Sequence, residues 1–226
     1  LEIDIKFFDV GGGIGIRYED EKQIVLYDYA QGILRSLSGL DVTIVCEPGR
    51  FITGASGVLL TRVLYEKQNC GKRFVIVDGA MNDLIRPSLY GAHHAIEIIG
   101  ASEGINLNEP DASEVNLGGR SSDQTSGSCA DEKNLGGANL AAASLCDVVG
   151  PICESGDFLA KGVSLPSLQS GDLLAVQSAG AYGFSMSSNY NTRCRAAEVA
   201  IYDGQDRLIR KRESFDDLIA LEKDFV

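Results

Sequence analysis

The pattern of apolar residues changes once along this chain, near residue 58, and the change bounds what the chain can fold into. Beyond it, "GVLLTRVLYEK", "KRFVIVDG", "HHAIEIIG", "CDVVGPIC", "GDLLAVQSAG" and "AAEVAIYDGQDRLIRKRE" are short strand-like runs parted by turn residues. The last carries an Asp203-Gly204 hairpin signal, and Ser214 is a fitting N-cap for a short closing helix in "FDDLIALEKDF". Residues 58–226 are therefore expected to form an all-β domain. Residues 1–57 read instead as β/α units. Ile3, Ile5, Phe7, Phe8 and Val10 make a strand that runs into the glycines at 11–13. Ile24, Leu26, Tyr27, Ala30, Ile33, Leu34 and Leu37 recur at helical spacing and predict a helix over 24–37. "VTIVCEPGR" is a continuous apolar strand closed by Pro48 and Gly49, as a parallel strand covered on both faces would be. Strand, helix, strand is the pattern of an α/β barrel or a doubly wound sheet.

The 226 residues are 44% hydrophobic, enough for a sizeable core, and no apolar run approaches the length of a membrane span. A net charge of −12 argues against general binding to nucleic acid or to anionic membranes, while leaving room for a local cationic pocket. The six cysteines, Cys46, Cys70, Cys129, Cys146, Cys153 and Cys194, include no C-x-x-C pair and no zinc-type spacing, so no metal site is expected. Without a signal-like start, the reading is a reduced, cytoplasmic protein. The chain opens at Leu1 inside a strand pattern, which points to a piece of a longer polypeptide. Residues 101–145, rich in Gly, Ser, Asn, Ala and Asp, are expected to be a flexible insertion. "EVNLGG" and "EKNLGG" within it hint at a local duplication.

Five stretches carry side chains suited to chemistry. In "DVGGGIGIRY" the consecutive glycines let backbone N–H groups approach an anion, but Ile16 breaks the dinucleotide-binding spacing, and a tight turn fits as well. "CEPGR" puts Glu47 and Arg50 on a strand-end rim, where they could also pair with one another. In "MNDLIRPSLYGAHH", Arg86 and Tyr90 lie four apart across a proline and can share a face. Arginine suits a two-pronged grip on a carboxylate. His93 and His94 have no Cys, Asp or Glu at ligand spacing and read as structural. "GPICESGD" sets Cys153 beside Glu154 at a sharp turn, and "SAGAYG" places Tyr182 among small residues, able to lie against a flat ligand. Taken singly, each fits packing as well as it fits chemistry.

Taken in order, GGG, E-P-G-R, R-P-x-L-Y, G-P-x-C-E-S-x-D and G-A-Y-G closely resemble the diaminopimelate decarboxylase family, over almost the whole chain apart from 101–145. The resemblance implies the later part of a pyridoxal-phosphate-binding (β/α)8 barrel followed by a β-rich C-terminal domain. It implies decarboxylation of meso-2,6-diaminopimelate to L-lysine and carbon dioxide, the last step of lysine biosynthesis. Gly12, Gly13, Pro48, Gly49 and Arg50 would lie at the pyridoxal 5'-phosphate, with Glu47 at the pyridine nitrogen, where a carboxylate keeps the ring protonated. Tyr182 would touch cofactor and substrate. Arg50, Arg86 and Tyr90 would hold the distal carboxylate of the substrate, and Glu154 its distal ammonium. Cys153 would donate the proton to the α-carbon, reaching with Glu154 into a neighbouring subunit of a homodimer. The family's cofactor-anchoring lysine, set in an early barrel motif, has no counterpart among Lys6, Lys22, Lys67, Lys72, Lys133, Lys161, Lys211 and Lys223, and its mid-barrel partner histidine is missing too. Lys72 and Lys161, the nearest to motifs, read as solvated turn residues. This chain alone is thus expected to be inactive and to need the N-terminal half of the barrel. The alternatives are a decarboxylase for ornithine, arginine or carboxynorspermidine, or a non-catalytic regulator of such an enzyme.

Overall fold

The computed structural model describes residues 5–100 and 143–225, so the expected flexible insertion and duplication lie almost wholly outside the described residues. Strand β1 (Phe7–Asp9) and strand β2 (Thr43–Val45) pair in parallel, Phe7 opposite Thr43, and helix α1 (Leu26–Ser36) crosses between them. The short helix α2 (Gly49–Thr53) starts directly after Pro48, whose fixed φ suits a helix start, and runs into a 3-10 turn over Gly54–Ser56.

The rest is mostly sheet. Strands β3 (Leu59–Asn69), β4 (Lys72–Val77), β5 (Ile96–Ile99), β6 (Ser144–Val149), β7 (Phe158–Leu165) and β8 (Leu173–Val176) form one sheet in the order β5-β8-β3-β4-β6-β7. All its pairings are antiparallel except β4 with β6. Helix α3 (Arg86–Tyr90) lies between β4 and β5, and β9 (Glu198–Tyr202) and β10 (Gln205–Arg210) form a separate hairpin. Helix α4 (Phe215–Leu218) begins at the expected cap, where the Ser214 and Asp217 side chains bond reciprocally to each other's backbone N–H. It is shorter than its apolar pattern predicts.

Strand β3 holds the sheet together by changing partners midway. Residues 59–62 pair with β8, and from Val63 onward the strand pairs with β4, across a bulge between Val63 and Tyr65. A bulge adds one residue and bends the strand. Both halves then face one core, in which Val63, Val75, Val77, Cys146, Val148, Leu159 and Leu165 meet Ile96, Leu174 and Val176. The buried Arg73 guanidinium braces one edge. It pairs with Glu66, and its Nη1 donates to the Leu165 carbonyl at 2.6 Å and to Ser144 Oγ at 3.1 Å. The Glu66 hydrogen bond and charge raise its pKa above the ordinary arginine value, so it stays cationic.

Four features depart from the sequence reading. Strand β7 was not expected, because Lys161 and Gly162 interrupt its apolar pattern; Gly162 sits at φ +64° and a bulge absorbs it. Lys72 and Lys161 lie in strands rather than turns: Lys72 pairs with Asp147 at 2.6 Å and Lys161 covers the Phe158 ring. The R-P-x-L-Y stretch is helical. Strand β6 begins at Ser144, just inside the stretch assigned to the insertion.

The parallel β-α-β segment meets the sheet at a seam of glycines. Ala179 N donates to the Gly57 carbonyl at 2.8 Å and Gly180 N to the Gly54 carbonyl at 3.1 Å. A Cβ on Gly180 would stand 2.0 Å from the Thr53 carbonyl oxygen, and one on Gly57 would stand 2.7 Å from Gly180 Cα. Nothing larger fits. In urea titrations of the complete protein, Gly180→Ala is expected to lose about 2 kcal/mol or more of stability through this backbone clash. Gly15→Ala, which points into open space, is expected to change stability by less than about 0.5 kcal/mol.

Candidate active site

The glycine turn and the E-P-G-R turn leave the C-terminal ends of β1 and β2, the edge of a parallel sheet where ligand sites are built. Gly11 and Gly13 take φ values of +71° and +85°, a region costly for other residues. The Asp9 carboxylate accepts from Gly11 N at 2.7 Å, and Glu47 N donates to the Gly11 carbonyl at 2.9 Å. A Cβ on Gly12 would lie 2.5 Å from the Glu47 carbonyl oxygen, so glycine lets the two turns press together. At Gly11, Gly13 and Gly49 the Cβ positions face open space, which leaves a backbone surface that a phosphate could approach closely. Among the described residues no ion pair joins Glu47 to Arg50.

Arg50, on α2, opens onto a cavity of about 580 Å³ that Arg86, Tyr90 and Tyr182 also line. These four were singled out from the sequence, and the seam explains how they meet. The close approach of Gly180 to the end of α2 carries the G-A-Y-G turn to the side of Arg50. Tyr182 itself has φ +60°, a left-handed backbone that costs a non-glycine residue about 1–2 kcal/mol. Such strain persists where the surroundings impose it, and here it presents the Tyr182 ring to the cavity.

Arg86 opens α3, is only 6% exposed, and donates from Nη1 to the Tyr18 hydroxyl at 3.0 Å and to His94 Nε2 at 3.0 Å. Gly91, at φ +61°, ends the helix and turns the chain toward the histidines. His94 is buried and sits with Nδ1 2.8 Å from the Gln177 carbonyl. Burial above all, with the charge of Arg86, pushes its pKa below the ordinary imidazole value. His93 does more than fill space: it lines the cavity and pairs with Glu19 at 3.1 Å. Glu21 lines the same cavity, and backbone N–H groups, that of Glu19 foremost, hold its carboxyl below the usual range.

Cys153 and Glu154 stand elsewhere. They occupy the exposed turn between β6 and β7 and do not line this cavity; nor do Gly12, Gly13, Glu47, Pro48 and Gly49. The turn is rigidly held by the buried carboxylate of Asp157, which accepts from Ile152 N at 2.6 Å and from Met81 N at 2.7 Å. The Asp157 backbone adds bonds to Gly150 and Glu154. Tyr190 OH donates to Glu154, and this bond raises the tyrosine's pKa above its ordinary value. Asn191 Nδ2 lies 4.0 Å from Cys153 Sγ.

Sequence reasoning missed Tyr18, Glu21, His93 and Met186 as cavity walls, and His94, Asp157 and Tyr190 as supports. Asp157 had a signal, since it ends the G-P-x-C-E-S-x-D stretch. Tyr18 had none: one aromatic in a polar run gives no hint of a contact 68 residues away.

Known proteins agree with this architecture. The family model for the pyridoxal-dependent decarboxylase C-terminal sheet domain matches residues 24–180. The chain is similar to the diaminopimelate decarboxylase of Campylobacter jejuni, with 52% identity over 100% of this chain and 47% of that relative. It is also similar to that of Helicobacter pylori, at 49% identity over 99% of this chain and 46% of the relative. The crystal structure of Helicobacter pylori diaminopimelate decarboxylase complexed with L-lysine superposes with a TM-score of 0.76 at 48% identity, covering 98% of this chain and 45% of that one. The chain thus spans about half the length of the relatives it matches. Because that family model matches well over half of its residues, the chain belongs to the pyridoxal-dependent decarboxylases and carries their C-terminal sheet domain.

Proposed function

We propose that the complete protein decarboxylates meso-2,6-diaminopimelate to L-lysine and carbon dioxide, with residues 1–57 supplying later elements of a (β/α)8 barrel and residues 58–226 the β domain. The observation that carries this reading is the convergence of two guanidinium groups, Arg50 and Arg86, with Tyr90 and Tyr182 on one cavity. A substrate with two carboxylates loses one and keeps the other, and the kept one needs a cationic grip. A simple diamino acid offers no such group, so its binding would leave the grip unmatched at a large cost in affinity. The names of the relatives at 52% and 49% identity support the same choice.

The residues present suit pyridoxal phosphate. The open backbone of Gly11, Gly13 and Gly49, next to the Arg50 cation, fits a phosphate, and Glu47 stands on the same rim to keep a pyridine nitrogen protonated. When bound, pyridoxal phosphate supplies the electron-poor ring that draws in the electron pair of the breaking bond. No lysine lines the cavity among the described residues, and we assign the cofactor's covalent anchor to polypeptide outside this chain.

Arg50 and Arg86 orient the substrate by its distal carboxylate, and Tyr182 walls the cavity beside them. Cys153 Sγ holds the proton destined for the α-carbon, while the Glu154 carboxylate meets the distal ammonium. Because the Cys153-Glu154 turn is exposed and does not line the cavity of its own chain, we place it in the site of a second subunit, making a homodimer with two shared sites.

Cys153→Ala is expected to lower kcat at least about 100-fold while the cofactor's absorbance is retained. Unchanged turnover would remove the proton-donor role. Mixing a Cys153→Ala protein with an Arg86→Gln protein tests the sharing of sites. Random exchange of subunits is expected to restore about a quarter of wild-type activity, since half of the dimers then hold one intact site. No recovery after proven exchange would place each site within one subunit.

A further inference from the structure

We propose that His94 is a positioning residue: held between the Gln177 backbone carbonyl and the Arg86 guanidinium, it sets the direction in which Arg86 meets the carboxylate of the substrate. This rests on the reading of Arg86 as a carboxylate-binding residue given above.

The partners fix the state of the ring. The Gln177 carbonyl can only accept, so the proton must be on Nδ1, 2.8 Å away. Arg86 can only donate, so Nε2, 3.0 Å from Nη1, must be bare. An imidazolium would turn an N–H toward a guanidinium N–H, and burial opposes that charge as well. His94 is 1% exposed and has no other orientation that satisfies both neighbours. Its anchor is rigid: Gln177 follows directly on β8, and its N–H donates to the Ala95 carbonyl at 2.8 Å, extending the β5-β8 ladder to the residue beside the histidine.

The effect on Arg86 follows from counting donors. Nη1 has two N–H groups, and the Tyr18 hydroxyl and His94 Nε2 take one each. Both described side-chain bonds of Arg86 therefore leave from Nη1, and Nη2 and Nε are left to the cavity that Arg86 lines. The Tyr18 ring stands edge-on to the imidazole, centroids 5.6 Å apart at 81°, and closes the remaining side. An arginine is otherwise a long, freely rotating side chain. Here two acceptors on one nitrogen aim the other edge of the fork at the ligand, before any ligand arrives.

The test uses the complete enzyme with Arg86→Gln, His94→Asn and His94→Gln. Asparagine can keep the bond to Gln177 but offers Arg86 no acceptor, whereas glutamine can place its amide oxygen near the position of Nε2. His94→Asn is expected to raise KM for meso-diaminopimelate about tenfold or more with kcat within about threefold of wild type. His94→Gln is expected to bring KM back to within about threefold. If Arg86→Gln leaves KM unchanged, the carboxylate-binding reading falls, and this inference with it. If Arg86→Gln raises KM but His94→Asn does not, or if His94→Gln fails to restore a raised KM, the positioning role alone is overturned. Should the variants not fold, the wild-type ring decides: 15N shifts of the histidine-labelled enzyme are expected to show Nδ1 protonated and Nε2 bare. An Nε2-protonated ring or an imidazolium at the assay pH overturns the proposal.

Discussion

The close approach of two backbones at Gly57 and Gly180 is the constraint on which the cavity depends. On one side of it lies α2 with Arg50, and on the other the turn that carries Tyr182. Neither side is a site by itself. The parallel segment offers glycine turns and the Arg50 cation, and the sheet offers Arg86 and Tyr90 above its core. Only where hydrogen bonds from Ala179 and Gly180 clamp the two together do the arginines face one volume. A side chain at Gly180 would force the surfaces apart, because what it would meet is backbone, which cannot rotate away.

Buried charge is used sparingly and always with company. Arg73 has Glu66 and carbonyl oxygens, Asp157 has two backbone N–H groups, and Asp147 has Lys72. An ion removed from water without such partners would cost several kcal/mol. Asp157 shows what the arrangement contributes locally. Its carboxylate ties Ile152 N, just before Cys153, to Met81 N, while its backbone bonds to Gly150 and Glu154, so an exposed turn is also a fixed one. Arg86 follows the same rule with neutral acceptors, which leaves its charge uncancelled for a ligand.

Much of this was legible beforehand. The strand-helix-strand opening, the hairpin at Asp203-Gly204 and the Ser214 cap follow from local rules that tertiary packing did not override. The meeting of Arg50, Arg86, Tyr90 and Tyr182 was legible only through the order of five motifs, since no local rule joins Arg50 to Arg86 or either of them to Tyr182. Strand β7 was hidden by a lysine and a glycine whose cost a bulge absorbs. Helix α3 was hidden by its proline, which lies in the first turn, where it does no harm. The supports were least visible of all. His94 and Tyr18 act through contacts made in three dimensions by residues with no distinguishing neighbours in the chain.

Strand β3 belongs to both halves of the sheet, and Val63, at the edge of its bulge, sits in the shared core. Neither half has a boundary at which it could open on its own, because peeling away β8 or β4 bares the same strand. Amide protons across the two halves should therefore exchange with solvent together, as one foldon, and the walls of the cavity would be lost in a single step rather than frayed piecemeal.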